Sequence, residues 1–183
     1  MVADLGQPSN RIALSPAWRR GMTLLQMKPR REQTSRAGAW PSRQRIISAV
    51  RQFRAMQPDA DGLPKVGRTG RCLGIRVGED IAVDSDGWVQ PGVGGMSVSP
   101  GSMWNVPSHR RPRGMAQGST GHPHDRIYAI EEANVTAQHL ALRPDPENPA
   151  KHAFVEPSER TQLDQYEQNL VYTRPAWRQA WPQ

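Results

Sequence analysis

The chain has 183 residues, enough for one domain with its own core, and its 36% hydrophobic and 22% charged content places it in the globular class. Its 16 glycines and 17 prolines stay below the ~25–30% share of low-complexity chains, which predicts a loop-rich fold and excludes general disorder. The net charge of +7 is confined to one end: residues 1–45 hold nine basic and two acidic side chains, and the rest is balanced at fifteen of each, so nucleic-acid binding is expected only through an N-terminal arm.

Residues 1–42 read as a basic, flexible extension broken by Pro8, Pro16, Pro29 and Pro41. Met22–Met27 is too short for the apolar region of a signal peptide, and no run approaches the ~18 apolar residues of a membrane span. A cytoplasmic location without membrane partners is the resulting expectation. The single cysteine, Cys72, excludes an internal disulfide and reads as a packed side chain.

A domain is expected over 43–183. Ile46 to Met56 fits a helical stripe or a strand, and periodicity does not separate the two. Either way Arg54 sits inside the apolar segment Phe53-Arg54-Ala55-Met56, where a guanidinium must find a carboxylate, a phosphate or a set of carbonyls. After the turn Pro58–Gly62, short strands are expected at Arg71–Val77, Asp80–Asp84, Gly87–Val89 and Met96–Ser99. Gly94-Gly95 removes two side chains just before Met96-Ser97-Val98, permitting a close backbone approach next to the Ser97 hydroxyl.

Residues 100–124 form a long excursion, and loops of such length in compact domains are usually functional or mobile. Its His109-Arg110-Arg111-Pro112-Arg113 cluster reads by default as solvated, with polyanion contact as the alternative. His122-Pro123-His124-Asp125 favours a loop over a metal site, so no metal is expected. Strands follow at Arg126–Ile130, His139–Arg143 and His152–Glu156, with a short helical turn after Glu131. Alternation puts His152, Phe154 and Glu156 on one strand face, a pairing suited to proton transfer or ribose orientation, or simply to a polar strand end. Ser158 is the expected N-cap of a helix with Leu163, Tyr166 and Leu170 on one face, closed by Pro175. The class is α+β without βαβ units or repeats. Motifs of P-loop, serine-hydrolase, zincin and dithiol chemistry are lacking.

The order of these pieces carries a resemblance. Phe53-Arg54-Ala55, then Asp86-Gly87-Trp88 with Pro91 and Gly94-Gly95-Met96-Ser97-Val98, then His152 to Pro157 before the helix with Tyr166 and Leu170, resembles the Tse-type toxins. These are bacterial effectors of the type VI secretion system with an ADP-ribosyltransferase-like fold. The resemblance spans about residues 50–173 and leaves 1–45 unmatched. It implies two small antiparallel sheets around a cleft that holds NAD, a C-terminal helix and long loops. It further implies that Arg54 contacts the phosphate and ribose side, that Ser97 supports the nicotinamide ribose, and that Glu156, with Glu131 as fallback, stabilises the transition state. Gly94, Gly95 and His152 would join Arg54 and Ser97 in holding NAD. Met96 stands where the transferase pattern often has a hydroxyl, and the glutamate-x-glutamate signature is missing around Glu156. A transferase or NAD-cleaving toxin with a cognate immunity protein, delivered without a cleavable signal, is the first expectation. An inactive binding module on the same fold and a nucleic-acid-associated protein using the basic arm are the alternatives.

Overall fold

The computed structural model describes residues 50–182; the N-terminal extension expected over 1–42 lies outside the described residues. The architecture is α+β, with a mostly antiparallel sheet and one sizeable helix near the C-terminus. The strands are β1 (Arg51–Met56), β2 (Trp88–Val89), β3 (Met96–Pro100), β4 (Arg126–Glu131), β5 (Leu140–Pro144), β6 (Ala153–Pro157), β7 (Thr161–Gln162) and β8 (Arg178–Trp181). The helices are α1 (Glu132–Thr136) and α2 (Leu163–Tyr172).

Six strands pair in the order β5-β6-β3-β1-β4-β8, and β2 pairs with β7 in a separate ribbon. Two small sheets were expected; the structure has a six-stranded sheet with a narrow waist and the two-stranded ribbon. β1 and β4 pair along all of Arg51–Met56, and β3 pairs with β6 from Met96 to Val98. Between the halves only Gln52↔Pro100 and Phe53↔Ser99 match. Beyond those two pairs β1 and β3 diverge, leaving a wedge between them.

Alternation along the strands sorts side chains onto two faces. Met56, Tyr128, Ile130, Met96, Val98, Val155 and Leu140 join Val135 of α1, Tyr166 and Leu170 of α2, and Trp177 in the main core. Phe53, Ala55, Ile127 and Ala129 form a smaller core on the other face, covered by Val106 and Met115. The segment after β3 is thus a folded cover with a buried hydrophobic contact, not a bare excursion. A short 3₁₀ turn at Met103–Asn105 and a bridge between Pro112 and Gly121 order it further.

Two expectations are corrected. Arg71–Val77 and Asp80–Asp84 are buried in part but not strands; they make only isolated bridges, Val66↔Leu73, Val77↔Ile81 and Ile81↔Gly94. The cause lies in the glycines: Gly74 has φ +151°, and a Cβ there would stand 2.4 Å from the Gly67 carbonyl oxygen, a geometry that breaks a regular ladder. The helix begins at Leu163, five residues later than Ser158. Ser158 instead donates its hydroxyl to His139 O at 3.0 Å, Thr161–Gln162 zips onto β2, and the Leu163 N–H finds Gly87 O at 2.9 Å. A tertiary carbonyl replaces the side-chain cap.

Candidate functional site

A cleft of about 520 Å³ opens over the wedge between β1 and β3. Its floor is Arg54 with Ser97 and Ser99; one wall holds Gly70, Arg76 and Asp80, the loop after β3 brings His109 and Arg110, and the β5–β6 connection brings Asp145, Glu147, Asn148 and His152. A larger depression of about 640 Å³ lies near Trp104 and Glu131, but its ionisable residues Arg51, Glu131 and Arg178 are all exposed. Burial makes the smaller cleft the candidate, because only there do ionisable groups leave water.

Arg54 is 7% exposed and, among the described residues, has no carboxylate within salt-bridge distance. Its guanidinium crosses the wedge to donate to Ser97 O, and also donates to Gly70 O at 3.2 Å, tying the two half-sheets together by carbonyls alone. Its buried Nε has no hydrogen-bond partner among the described residues. Burial lowers its pKa to about 10, Arg110 pushing the same way, so the group stays charged at neutral pH. Arg110 is half-buried, makes no side-chain hydrogen bond to the described residues, and burial also holds its pKa below the ordinary arginine value. The two arginines flank Gly70: a Cβ on that residue would lie 3.1 Å from Arg110 Nη1. The two cations share the cleft with Asp80, which acts on both through space but, among the described residues, makes no salt bridge with either.

Arg76 is different. It pairs with Asp80 at 2.7 Å and with Glu79. Burial pushes the Asp80 carboxyl up, but hydrogen bonds from the Arg76 side chain and backbone outweigh it and hold Asp80 below the usual carboxylate range. The outer wall is fastened by Arg71, which grips buried Asp125 at 2.6 and 3.0 Å.

The structure brings Arg54, Ser97 and His152 to one cleft, and places the other expected residues elsewhere. Glu156 is buried, and its Oε2 accepts from Arg143 Nε at 2.8 Å and from Gly92 N at 3.0 Å. It does not line the cleft. The fallback Glu131 is exposed at the end of β4, in the other depression. Gly94 and Gly95 serve the protein's own backbone: a Cβ would stand 2.2 Å from Asp80 O and 2.3 Å from Val155 O, respectively. Met96 is a core residue whose N–H meets the Tyr166 hydroxyl at 3.2 Å; that hydroxyl donates to Val155 O at 2.6 Å. The phenol is thereby inserted between β3 and β6, and burial pushes its pKa up.

Asp145 is not among the expected site residues, and Arg110 enters only through the alternative reading of its basic cluster as a polyanion contact. Arg110 lay inside a basic cluster that reads as solvated until Val106 and Met115 anchor the loop, and Asp145 lay in a proline-rich connection that reads as a spacer. His152 Nδ1 meets Asp145 Oδ2 at 2.6 Å, and this bond holds the Asp145 carboxyl below its ordinary range. No group of three metal-ligating side chains is found among the described residues, and no helix among them is long and apolar enough to cross a membrane. Compared with known proteins, the chain matches no family model, no curated protein and no solved structure.

Proposed function

We propose that this protein is a bacterial toxin-like enzyme that takes NAD into the β1/β3 cleft, an ADP-ribosyltransferase or NAD-cleaving protein with an ADP-ribosyltransferase-like fold. The observation that carries this reading is the buried Arg54 guanidinium, which has no carboxylate partner and an orphaned Nε beside a second unpaired arginine, Arg110. A pyrophosphate satisfies both cations, and anchoring it positions the attached ribose for reaction. Ser97, on the β3 edge of the wedge, adds a hydroxyl beside the ribose. NAD supplies the ribosyl carbon from which nicotinamide departs; the chain supplies charge and orientation. The cover over residues 101–125 is the surface on which an immunity protein would act, since it carries Arg110 into the cleft.

A second reading has its own support. The carboxylate of Glu156 is engaged by Arg143 and Gly92, away from the cleft, which favours a protein that binds NAD or a partner without catalysis. One experiment separates the two. Calorimetric titration of the full chain and of Arg54→Ala with NAD, followed by assay of released nicotinamide, is expected to give binding and slow release for the wild type and neither for the variant. Binding without release selects the inactive module, and no binding sinks both NAD readings. Growth arrest of a bacterial host on induction, relieved by Arg54→Ala at equal abundance, tests the toxin assignment.

A further inference from the structure

We propose that His152, held by Asp145, is the general base of this cleft, taking the proton from a hydroxyl acceptor, water in the simplest case, as its oxygen attacks the ribosyl carbon. This role rests on the NAD reading above. Its basis is the connection between β5 and β6, which the prolines 144, 146 and 149 stiffen. Asp145 N donates to His152 O at 3.0 Å and His152 N donates to Asn148 O at 2.9 Å, closing the loop on itself. Both carboxylate oxygens of Asp145 are used, Oδ1 by Glu147 N at 3.0 Å and Oδ2 by the imidazole at 2.6 Å. The ring also meets Phe154 edge-on at 4.6 Å between centroids. Orientation is therefore set twice, by a hydrogen bond and by packing.

Nδ1 donating to the carboxylate leaves the lone pair on Nε2, which has no partner among the described residues. The side chain is 30% exposed and lines the cleft, so an acceptor can reach it. Other candidates fail on one count each. Glu156 is held by Arg143, Asp80 is held by Arg76, and Glu147 and His109 are exposed with no side-chain hydrogen bond to fix them. Among the described residues of the cleft, only His152 is at once fixed, reachable and left with an unpartnered ring nitrogen.

The electron count closes without a further reactant. The acceptor O–H bond breaks and its proton passes to Nε2; the oxygen–carbon bond forms; the ribosyl–nicotinamide bond breaks, and its electron pair leaves with neutral nicotinamide. Asp145 stabilises the imidazolium that results. The charged groups around the ring are Asp145 and Glu147 on its own connection, Arg143 over the Phe154 ring at 4.7 Å, Arg54, Arg110 and His109 of the cleft, and the mutually paired Arg76 and Asp80.

The test compares wild type, His152→Gln and Asp145→Asn in the full chain by ADP-ribose calorimetry, the pH profile of nicotinamide release from NAD, and ¹⁵N spectra of the imidazole. Each variant is expected to retain measurable ADP-ribose binding, so that a catalytic loss is read in kcat rather than in uptake of the ligand. His152→Gln is expected to lower kcat by roughly 10²- to 10⁴-fold and to erase the acid limb of its pH profile. Asp145→Asn should lower kcat by a smaller factor while His152 remains in place, because the ring loses the carboxylate that fixes its orientation. The wild-type spectrum should show the proton on Nδ1. A His152→Gln enzyme with normal kcat and an intact acid limb overturns the proposal, as does a proton on Nε2, or ADP-ribose binding without nicotinamide release. Failure to bind ADP-ribose at all identifies the NAD reading as the one that is wrong, and removes this role with it.

Discussion

Arg54 and Glu156 are both buried charges on strands of one sheet, yet their surroundings are opposite. Glu156, on β6, is met by an arginine and a backbone N–H; Arg54, on β1, is met only by carbonyls and retains an unsatisfied nitrogen. A buried charge that the protein itself neutralises is accounted for by folding. One left without a counter-charge is costly to keep, and a ligand is the simplest physical reason for keeping it. By that criterion the glutamate is accounted for by the fold, and the arginine is the group on which the proposed anion binding rests.

The strongest way to break this contrast is to remove the partner of Glu156. Arg143→Met strands the carboxylate, and unfolding in denaturant is expected to reveal a loss of about 3 kcal/mol, the low end for a buried pair because Arg143 is partly exposed. Adding Glu156→Gln should recover part of that loss. A single variant as stable as the wild type would mean that Glu156 is free for another role.

Arg54→Met tests the other side. Its stability should stay within about 1 kcal/mol of the wild type, since desolvation of an unpaired cation is relieved while two carbonyls lose a donor. Affinity for ADP-ribose should fall by about 1.5–3 kcal/mol, ten- to a hundredfold or more. A large loss of stability with unchanged affinity would recast Arg54 as a structural cross-brace. The smallest effect concerns the hinge of the comparison, the phenol bridging β3 and β6. Tyr166→Phe leaves Met96 N and Val155 O without their partner and should cost about 1–2 kcal/mol by thermal or chemical unfolding. No change would mean that the two strands close directly on each other.

Much of this was legible along the chain. An arginine among Phe53, Ala55 and Met56 announces a buried guanidinium because alternation leaves it no solvent face, and the spacing of Tyr166 and Leu170 announces the buried face of α2. The prolines at 144, 146 and 149 mark a stiff connection, since each fixes φ. These are local facts, set by the covalent geometry and polarity of neighbouring residues.

What the chain order did not reveal was partnership. His152 and Glu156 share a strand face, which suggested a pair, but Asp145 folds back on the histidine and Arg143 crosses to the glutamate. Gly94-Gly95 looked like room for a ligand and proved to be room for the backbone of Asp80 and Val155. Ser158 has the chemistry of a helix cap, yet the β2–β7 ribbon delays the helix to Leu163. Local propensity marked most strands and the buried face of the helix; the tertiary structure decided that Arg71–Val77 and Asp80–Asp84 do not form strands, where the helix starts, and which charge meets which. Electrostatic and hydrogen-bond energies depend on distance in space, and residues far apart in sequence, such as Arg54, Gly70 and Arg110, become neighbours only once the sheet has closed around them.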